Sequence, residues 1–124
     1  MVVRTVRGMS LNLGMVTIDS VDAVALAEFW TAALGVAITE RVGDEYLILG
    51  DRAHGVRVAL QRVAEQRTGK NRVHLDFGTD DRPAEVARLV GLGARELAVH
   101  ELPGLSWSVL ADPQGNEFCV AVEG

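Results

Sequence analysis

The chain has 124 residues, of which 48% are hydrophobic and 23% charged, a composition typical of one water-soluble globular domain. Its 17 acidic and 12 basic residues give a net charge of −5, which argues against nucleic acid as a partner. No apolar stretch approaches the roughly 20 residues that cross a bilayer, and the single cysteine excludes an intrachain disulfide, so we expect a cytoplasmic protein.

The first half of the chain predicts a β-α-β-β-β module over about residues 10–63. Residues 1–9 read as a polar lead-in that could pair as an edge, and they lack the apolar region of a secretion signal. Residues 11–19 alternate between apolar and polar side chains, which indicates a strand. Asp22 can cap a helix that Gly35 ends, and the apolar stripe of this helix is Leu26, Phe29, Trp30 and Ala33. Three short strands separated by glycine-containing turns follow at 36–41, 45–49 and 56–63.

The second half predicts a second module of the same kind over about residues 72–123, after a polar connector at 64–71. Its first strand is expected at 73–78, and either Asp80 or Asp81 caps the helix that follows. The remaining signals are Pro83 in the first helical turn, Gly93 at the helix end, strands at 95–100, 106–110 and 116–122, and a tight turn at 112–115.

The two modules repeat at an offset of 58 residues, the separation of the glycines that end the two helices. This offset places Val16 on His74 and Gln61 on Cys119. Two copies are too few for a solenoid and favour a pseudo-symmetric pair. We therefore predict an α+β fold with one domain over 1–124, in which two paired βαβββ modules form a curved mixed sheet with a concave cup.

Side-chain alternation along three of the predicted strands assigns polar groups to one face of the sheet. The side chains expected to pack under the helices are Val58, Leu60, Val73, Leu75, Phe77, Phe118, Val120 and Val122. The side chains expected on the opposite face are Arg57, Ala59, Gln61, Arg72, His74, Asp76, Glu117, Cys119 and Ala121. So many polar groups on one concave face of a small domain predict a site.

Three of these side chains are candidate catalytic groups. His74 titrates near neutrality and is interpreted as an acid–base group or a metal ligand, or else as a histidine hydrogen-bonded to its neighbours. Asp76 could orient His74, although residues two apart on a strand lie about 7 Å from each other. The alternative for Asp76 is a structural ion pair with Arg72, Arg57 or Lys70. Glu117 is either a general base or a solvated charge at a strand edge.

Five side chains are candidate ligand-binding residues, namely Gln61, Arg72, Trp107, Tyr46 and Cys119. Gln61 would bind rather than catalyse, because an amide does not titrate in the useful range. Trp107 and Tyr46 could each line an apolar pocket or fill the core. Cys119 is interpreted first as a small buried hydrophobe and second as a reactive or metal-binding thiol. The assignments elsewhere are Trp30 to the core, and His54 and His100 to the surface.

Three segments carry a resemblance to a known family. They are residues 29–35 (Phe-Trp-Thr-Ala-Ala-Leu-Gly), 69–76 (Gly-Lys-Asn-Arg-Val-His-Leu-Asp) and 112–119 (Asp-Pro-Gln-Gly-Asn-Glu-Phe-Cys). Within two β-α-β-β-β modules, these segments resemble the vicinal-oxygen-chelate superfamily of glyoxalase I, extradiol dioxygenases, methylmalonyl-CoA epimerase and bleomycin-resistance proteins. The segments 69–76 and 112–119 look like its glyoxalase-like, bleomycin-resistance-like domain proteins of the actinobacterial type.

The resemblance implies a divalent ion held by four strand residues, two from each module and usually His, Glu or Gln. The four positions fall here at Val16 (or Met15, if the register slips by one), Gln61, His74 and Cys119. Val16 and Met15 are not good ligands, and a cysteine thiolate suits a softer ion such as Zn²⁺. These residues therefore assign no definite cofactor. The alternative is a divalent metal (Zn, Ni, Mn or Fe).

The resemblance further implies that the cup holds a small organic molecule, without the full four-ligand metal site. The protein would then be a non-standard lyase- or isomerase-type enzyme, with plain glyoxalase I activity not expected, or a ligand-sequestering protein. The alternative is a metal-dependent lyase or epimerase that uses His74, Gln61 and Cys119, and a third reading is that the cup is a vestige. We also expect a homodimer, with neither nucleic acid nor membrane as partner, because an isolated module has only about half a core.

Overall fold

The structure, a computed structural model, describes residues 12–66 and 68–122. The described residues divide into two compact units, one up to residue 65 (unit 1) and one from residue 66 (unit 2). The division falls inside the predicted connector, while the prediction that both modules form one domain stays a prediction. The expected polar lead-in at 1–9 lies outside the described residues, as does the side chain of His54.

Unit 1 contains four strands and one helix, with a 3-10 turn at Arg52–His54 before the last strand. The elements are β1 (Met15–Ser20), α1 (Ala23–Leu34), β2 (Ile38–Val42), β3 (Tyr46–Leu49) and β4 (Arg57–Arg62). The strands form one sheet in the order β1-β4-β3-β2, in which β1 and β4 are parallel and the other pairs antiparallel. The helix packs against β1, β3 and β4.

Unit 2 repeats this arrangement. Its elements are β5 (Leu75–Thr79), α2 (Arg82–Leu92), β6 (Arg95–Leu102), β7 (Leu105–Ala111) and β8 (Glu117–Val122). The sheet order is β5-β8-β7-β6, again with one parallel pair, β5 and β8. Two βαβββ modules with mixed four-stranded sheets confirm the predicted α+β fold class.

Local chemistry explains where the two helices begin and end. Asp22 accepts a hydrogen bond from the Ala25 amide at the start of α1, and Asp81, rather than Asp80, accepts one from the Ala84 amide at the start of α2. Gly35 ends α1 with φ of 67°, a left-handed conformation that a Cβ would strain. Neither helix is long and apolar enough to cross a membrane.

The core of each unit lies between its helix and its sheet. In unit 1 the fully buried large side chains are Leu26, Trp30, Leu47, Leu49 and Leu60, so the expected core position of Trp30 is confirmed. In unit 2 they are Leu110, Phe118 and Val120. Two of the residues expected in the core are exposed instead. Val73 is 76% exposed because β5 begins only at Leu75, and Val122 is exposed at the end of β8. Ala59 is buried, although alternation along β4 places it on the face opposite Leu60.

A polar network that the sequence did not reveal ties three elements of unit 2 together. Arg82, the first residue of α2, donates to the Ser108 hydroxyl at 2.9 Å, and this hydroxyl donates to Glu96 at 2.8 Å. Ser108 is fully buried on β7, so both hydrogen bonds satisfy a hydroxyl that would otherwise be costly to bury. The network thereby joins α2 to β6 and β7.

Candidate functional site

The side chains of His74, Asp76 and Cys119 converge in unit 2. Their nitrogen, oxygen and sulfur ligand atoms all lie within 4.8 Å of one another. Parallel pairing places Asp76 of β5 directly opposite Cys119 of β8. His74 lies immediately before the first residue of β5 rather than in the middle of a strand as expected. We call these three residues the unit 2 cluster.

Strand alternation explains why the cluster forms. The residues that flank it on β5 and β8 are apolar, and the rings of Phe77 and Phe118 pack edge-to-face with centroids 5.9 Å apart. Because successive side chains on a strand point to opposite faces, burial of these rings on one face directs Asp76 and Cys119 to the other.

His74 and Asp76 form a loose pair at the exposed end of the cluster. His74 Nε2 lies 3.4 Å from Asp76 Oδ1, and the two side chains are 49% and 73% exposed. This separation is longer than a well-formed N–H···O hydrogen bond, so the contact between the two side chains is weak. The expectation of a buried Asp76 in an ion pair with an arginine or lysine was wrong. Arg57 pairs with Glu40 at 2.9 Å, and Lys70 lies 3.5 Å from Glu117.

Cys119 forms the buried end of the cluster and is 9% exposed. Burial is the main cause that raises the pKa of its thiol. The Asp76 carboxylate raises this pKa further through its charge and through a hydrogen bond from the thiol, and Glu117 adds a smaller effect, which Lys70 opposes. The thiol therefore keeps its proton at neutral pH.

The reactivity of Cys119 should follow these charges. Because its pKa is raised, iodoacetamide should alkylate the folded protein slowly at neutral pH, and the rate should rise only at a more alkaline pH than for a free cysteine. Asp76→Asn and Glu117→Gln should move this rise to lower pH, whereas Lys70→Gln should move it to higher pH. Mass spectrometry of the alkylated protein measures all four rates, since the chain has one cysteine.

Shifts of the same sign in all three variants would contradict this assignment of causes.

The raised pKa of Cys119 also makes the folding stability depend on pH in a definite direction. The folded state holds the proton to a higher pH than the unfolded chain, so this contribution to stability is complete at neutral pH and is lost as the pH rises through the raised pKa of Cys119.

Glu117 begins β8 on the strand that carries Cys119. Its carboxylate faces Lys70, and its backbone carbonyl accepts a hydrogen bond from Asn71 Nδ2 at 3.0 Å. Asn71 Oδ1 is buried and has no hydrogen-bond partner among the described residues. Asn71 thus anchors the loop before β5 to β8, a role that the sequence signalled only as a turn.

The other predicted site residues are not members of this cluster. In unit 2, Trp107 stacks on His100 with ring centroids 4.9 Å apart, and Arg72 lies exposed in the bend before β5. In unit 1, the Tyr46 hydroxyl donates to Met15 Sδ at 3.8 Å, and Tyr46 lies opposite Gln61 across the β3–β4 pairing. His100 is exposed, as predicted.

The hydrogen bonds just before the two helices fix the correspondence between the first strands. Ser20 Oγ accepts from the Asp22 amide as Thr79 Oγ1 accepts from the Asp81 amide, so these strands follow an offset of 59 residues, the separation of Asp22 from Asp81. His74 therefore corresponds to Met15, the alternative position, and not to Val16. Asp76 corresponds to Thr17, which lies opposite Ala59 as Asp76 lies opposite Cys119, so Ala59 rather than Gln61 corresponds to Cys119.

The donor atoms can be tested against the divalent ion that the family resemblance implies. A histidine nitrogen, a carboxylate oxygen and a cysteine sulfur are the ligand types that Zn²⁺ takes. The unit 2 cluster supplies one of each within 4.8 Å. At the corresponding positions of unit 1, Met15, Thr17 and Ala59 offer only a thioether sulfur and a hydroxyl as side-chain donor atoms. The cluster fits a three-ligand site better than a set of two ligands from each module.

Comparison with known proteins identifies the family. The sequence matches the glyoxalase-like domain model over residues 15–121. No curated protein matches the sequence. The chain belongs to the glyoxalase-like domain family, and thus to the vicinal-oxygen-chelate superfamily, whereas its assignment to the actinobacterial type stays a prediction.

Solved structures show the same fold. A glyoxalase/bleomycin resistance protein/dioxygenase family enzyme from Burkholderia phytofirmans PsJN is 20% identical with a TM-score of 0.77, covering 90% of this chain and 98% of its own. A glyoxalase-related enzyme from Fulvimarina pelagi is 20% identical with a TM-score of 0.72, covering 90% and 88%. The lactoylglutathione lyase from Agrobacterium tumefaciens is 15% identical with a TM-score of 0.67, covering 92% and 95%. At these identities the likeness concerns the fold alone.

Proposed function

We propose that this chain binds a small, oxygen-rich organic molecule at the face of β5 and β8 and acts on it as a lyase- or isomerase-type enzyme, without a full four-ligand metal site. The observation that carries the proposal is the convergence of His74, Asp76 and Cys119. A proton acceptor, a carboxylate and a thiol meet there on the face opposite the core of unit 2. Clusters of this kind are more typical of functional sites than of structural ones.

The three groups support a proton transfer. His74 is half exposed, so its imidazole can reach a bound molecule, and histidine exchanges protons near neutral pH. Its role would be to take a proton from a carbon next to a carbonyl group and return it. The Asp76 carboxylate, 3.4 Å from His74 Nε2, would orient the imidazole toward the bound molecule. Cys119, which keeps its proton, can donate a hydrogen bond to an oxygen of the ligand.

Sequestration of a ligand without turnover is the second candidate. Met15 occupies the position that corresponds to His74, so the second acid–base group that pseudo-symmetry could supply is missing from unit 1. The metal-dependent alternative with His74, Gln61 and Cys119 draws on both units. A divalent ion held there would polarise a ligand oxygen as a Lewis acid. A cytoplasmic location and a homodimer stay predictions.

The test combines binding with proton exchange. A panel of small 2-oxo acids, hydroxy acids and their esters is screened by thermal shift, and hits are incubated in D₂O and examined by NMR. We expect at least one compound to raise Tm and to exchange a C–H proton for deuterium. His74→Gln should abolish this exchange, whereas His100→Gln, which changes an exposed histidine stacked on Trp107, should leave it unchanged.

The outcomes separate the candidate functions. Binding that needs His74 but brings no exchange or turnover would establish sequestration and contradict the enzyme. Exchange that persists in His74→Gln would contradict the role assigned to this residue. Binding of no compound in the panel would overturn the proposal for this substrate class.

A further inference from the structure

We propose that His74, Asp76 and Cys119 together bind one thiophilic divalent ion of the Zn²⁺ type, with all three protein ligands supplied by unit 2. This inference rests on the proposed function only in that both assign the chemistry to the face of β5 and β8. It differs from the arrangement implied by the family resemblance, because Asp76 replaces any ligand from unit 1.

The distances suit a tetrahedral ion. Zn²⁺ binds nitrogen and oxygen at roughly 2.0–2.2 Å, so two such ligands in a tetrahedral shell lie about 3.4 Å apart. The observed separation of His74 Nε2 and Asp76 Oδ1 is 3.4 Å. That distance is too long for a good hydrogen bond but matches the edge of such a shell. The largest separation within the unit 2 cluster, 4.8 Å, can close through side-chain rotation.

The backbone holds two of the ligands in register. Asp76 and Cys119 are direct partners in the parallel β5–β8 pairing. Phe77 and Phe118, the residues that follow Asp76 and precede Cys119, are packed against each other on the other face, so neither ligand can leave its face without loss of that packing. His74 precedes β5, where its backbone lies outside the strand pairing and can adjust to the ion.

The charges around the cluster favour a cation. Asp76 and Glu117 both lie close enough to Cys119 to act on its thiol, and Lys70, whose charge opposes theirs, lies 3.5 Å from Glu117. Nitrogen, oxygen and sulfur donors in one set select Zn²⁺ and Co²⁺ over Mg²⁺ and Ca²⁺, which prefer oxygen alone.

Cobalt provides a direct readout of the sulfur ligand. Metal-free full-length protein, kept reduced, is titrated with Co²⁺ while the near-ultraviolet absorption of a thiolate–Co²⁺ charge-transfer band is followed. We expect this band to saturate at one ion per chain and to disappear when Zn²⁺ is added, and we expect excess Mg²⁺ to leave it unchanged. Cys119→Ser should remove the band.

A comparison of Asp76→Asn with Gln61→Ala tests whether the ion is bound by Asp76 of unit 2 or by Gln61 of unit 1. Asp76 is exposed, so its isosteric substitution should not unfold the protein, yet it should weaken Co²⁺ binding by more than the roughly 10–100-fold typical of losing a supporting group around a metal site. Gln61→Ala should bind Co²⁺ like the unsubstituted chain. Circular dichroism confirms that each variant is folded.

Two results would overturn the inference. One is the absence of a charge-transfer band in the unsubstituted protein. The other is an equal loss of affinity in Gln61→Ala and Asp76→Asn, which would show that the ion draws on both units. Neither result affects the proposed function, because compound binding and deuterium exchange are measured separately in chelated protein.

Discussion

Replacement of Asp112 by alanine is expected to lower the free energy of unfolding by about 2–4 kcal/mol, since buried donors left without an acceptor cost about 1–3 kcal/mol each. Asp112 is 1% exposed in the turn between β7 and β8. Its Oδ1 accepts hydrogen bonds from the amides of Gln114 and Asn116, and Asn116 Nδ2 donates to Oδ2 at 2.9 Å. Urea unfolding followed by circular dichroism measures the loss.

Two control variants isolate the effect of the Asp112 carboxylate. Asp112→Asn keeps one oxygen for the two backbone donors and should therefore cost less than Asp112→Ala. Asp51→Ala removes an exposed carboxylate that accepts a hydrogen bond from the Ala53 amide, and it should cost no more than about 1 kcal/mol. An Asp112→Ala variant as stable as Asp51→Ala would show that the turn does not depend on this carboxylate.

Replacement of Phe118 by alanine is expected to cost about 3–5 kcal/mol, the range for a large aromatic side chain removed from a core. Phe118 is 2% exposed on β8, between Leu75 of β5 and Leu110 of β7. Its removal leaves a cavity and ends the edge-to-face contact with Phe77. Because Cys119 is the next residue on the strand, the same variant should also be alkylated faster at neutral pH.

The half-buried Phe77 supplies the control for this prediction. Phe77→Ala should cost less than Phe118→Ala. A double-mutant cycle should give a coupling of about 0.5–1.5 kcal/mol for the two rings. Zero coupling would mean that the ring contact does not help to hold β5 on β8. Unchanged alkylation of Cys119 in Phe118→Ala would separate the packing of the core face from access to the thiol.

Much of the fold could be predicted because its signals are local. Asp22 and Gly35 delimit α1 through contacts within a few residues of the chain. Trp30 lies on the apolar stripe of that helix and is buried, as the spacing indicated. The boundaries of strands were less predictable. Val73 continues the apolar alternation of β5 but lies before the strand, because alternation does not show where pairing with β8 begins.

The site could be predicted only in part, because alternation along a strand does not show how that strand pairs with its neighbour. Alternation placed His74, Asp76 and Cys119 on one face of the second module before any contact between them was known. It did not indicate that Asp76 lies directly opposite Cys119, or that Met15 rather than Val16 corresponds to His74. The first depends on the register of a parallel strand pair whose members are far apart in sequence, and the second on where each first strand meets its helix.

By itself, the sequence determined the repeated module, the helix caps and the sides of the strands, because each depends on the chemistry of neighbouring residues. The tertiary structure alone decided which side chains meet. Lys70 faces Glu117 rather than Asp76, the Asp76 carboxylate is exposed, and the Cys119 thiol is buried beside it. These contacts depend on strand register and packing across the sheet, where a shift of one residue exchanges the partners of every side chain.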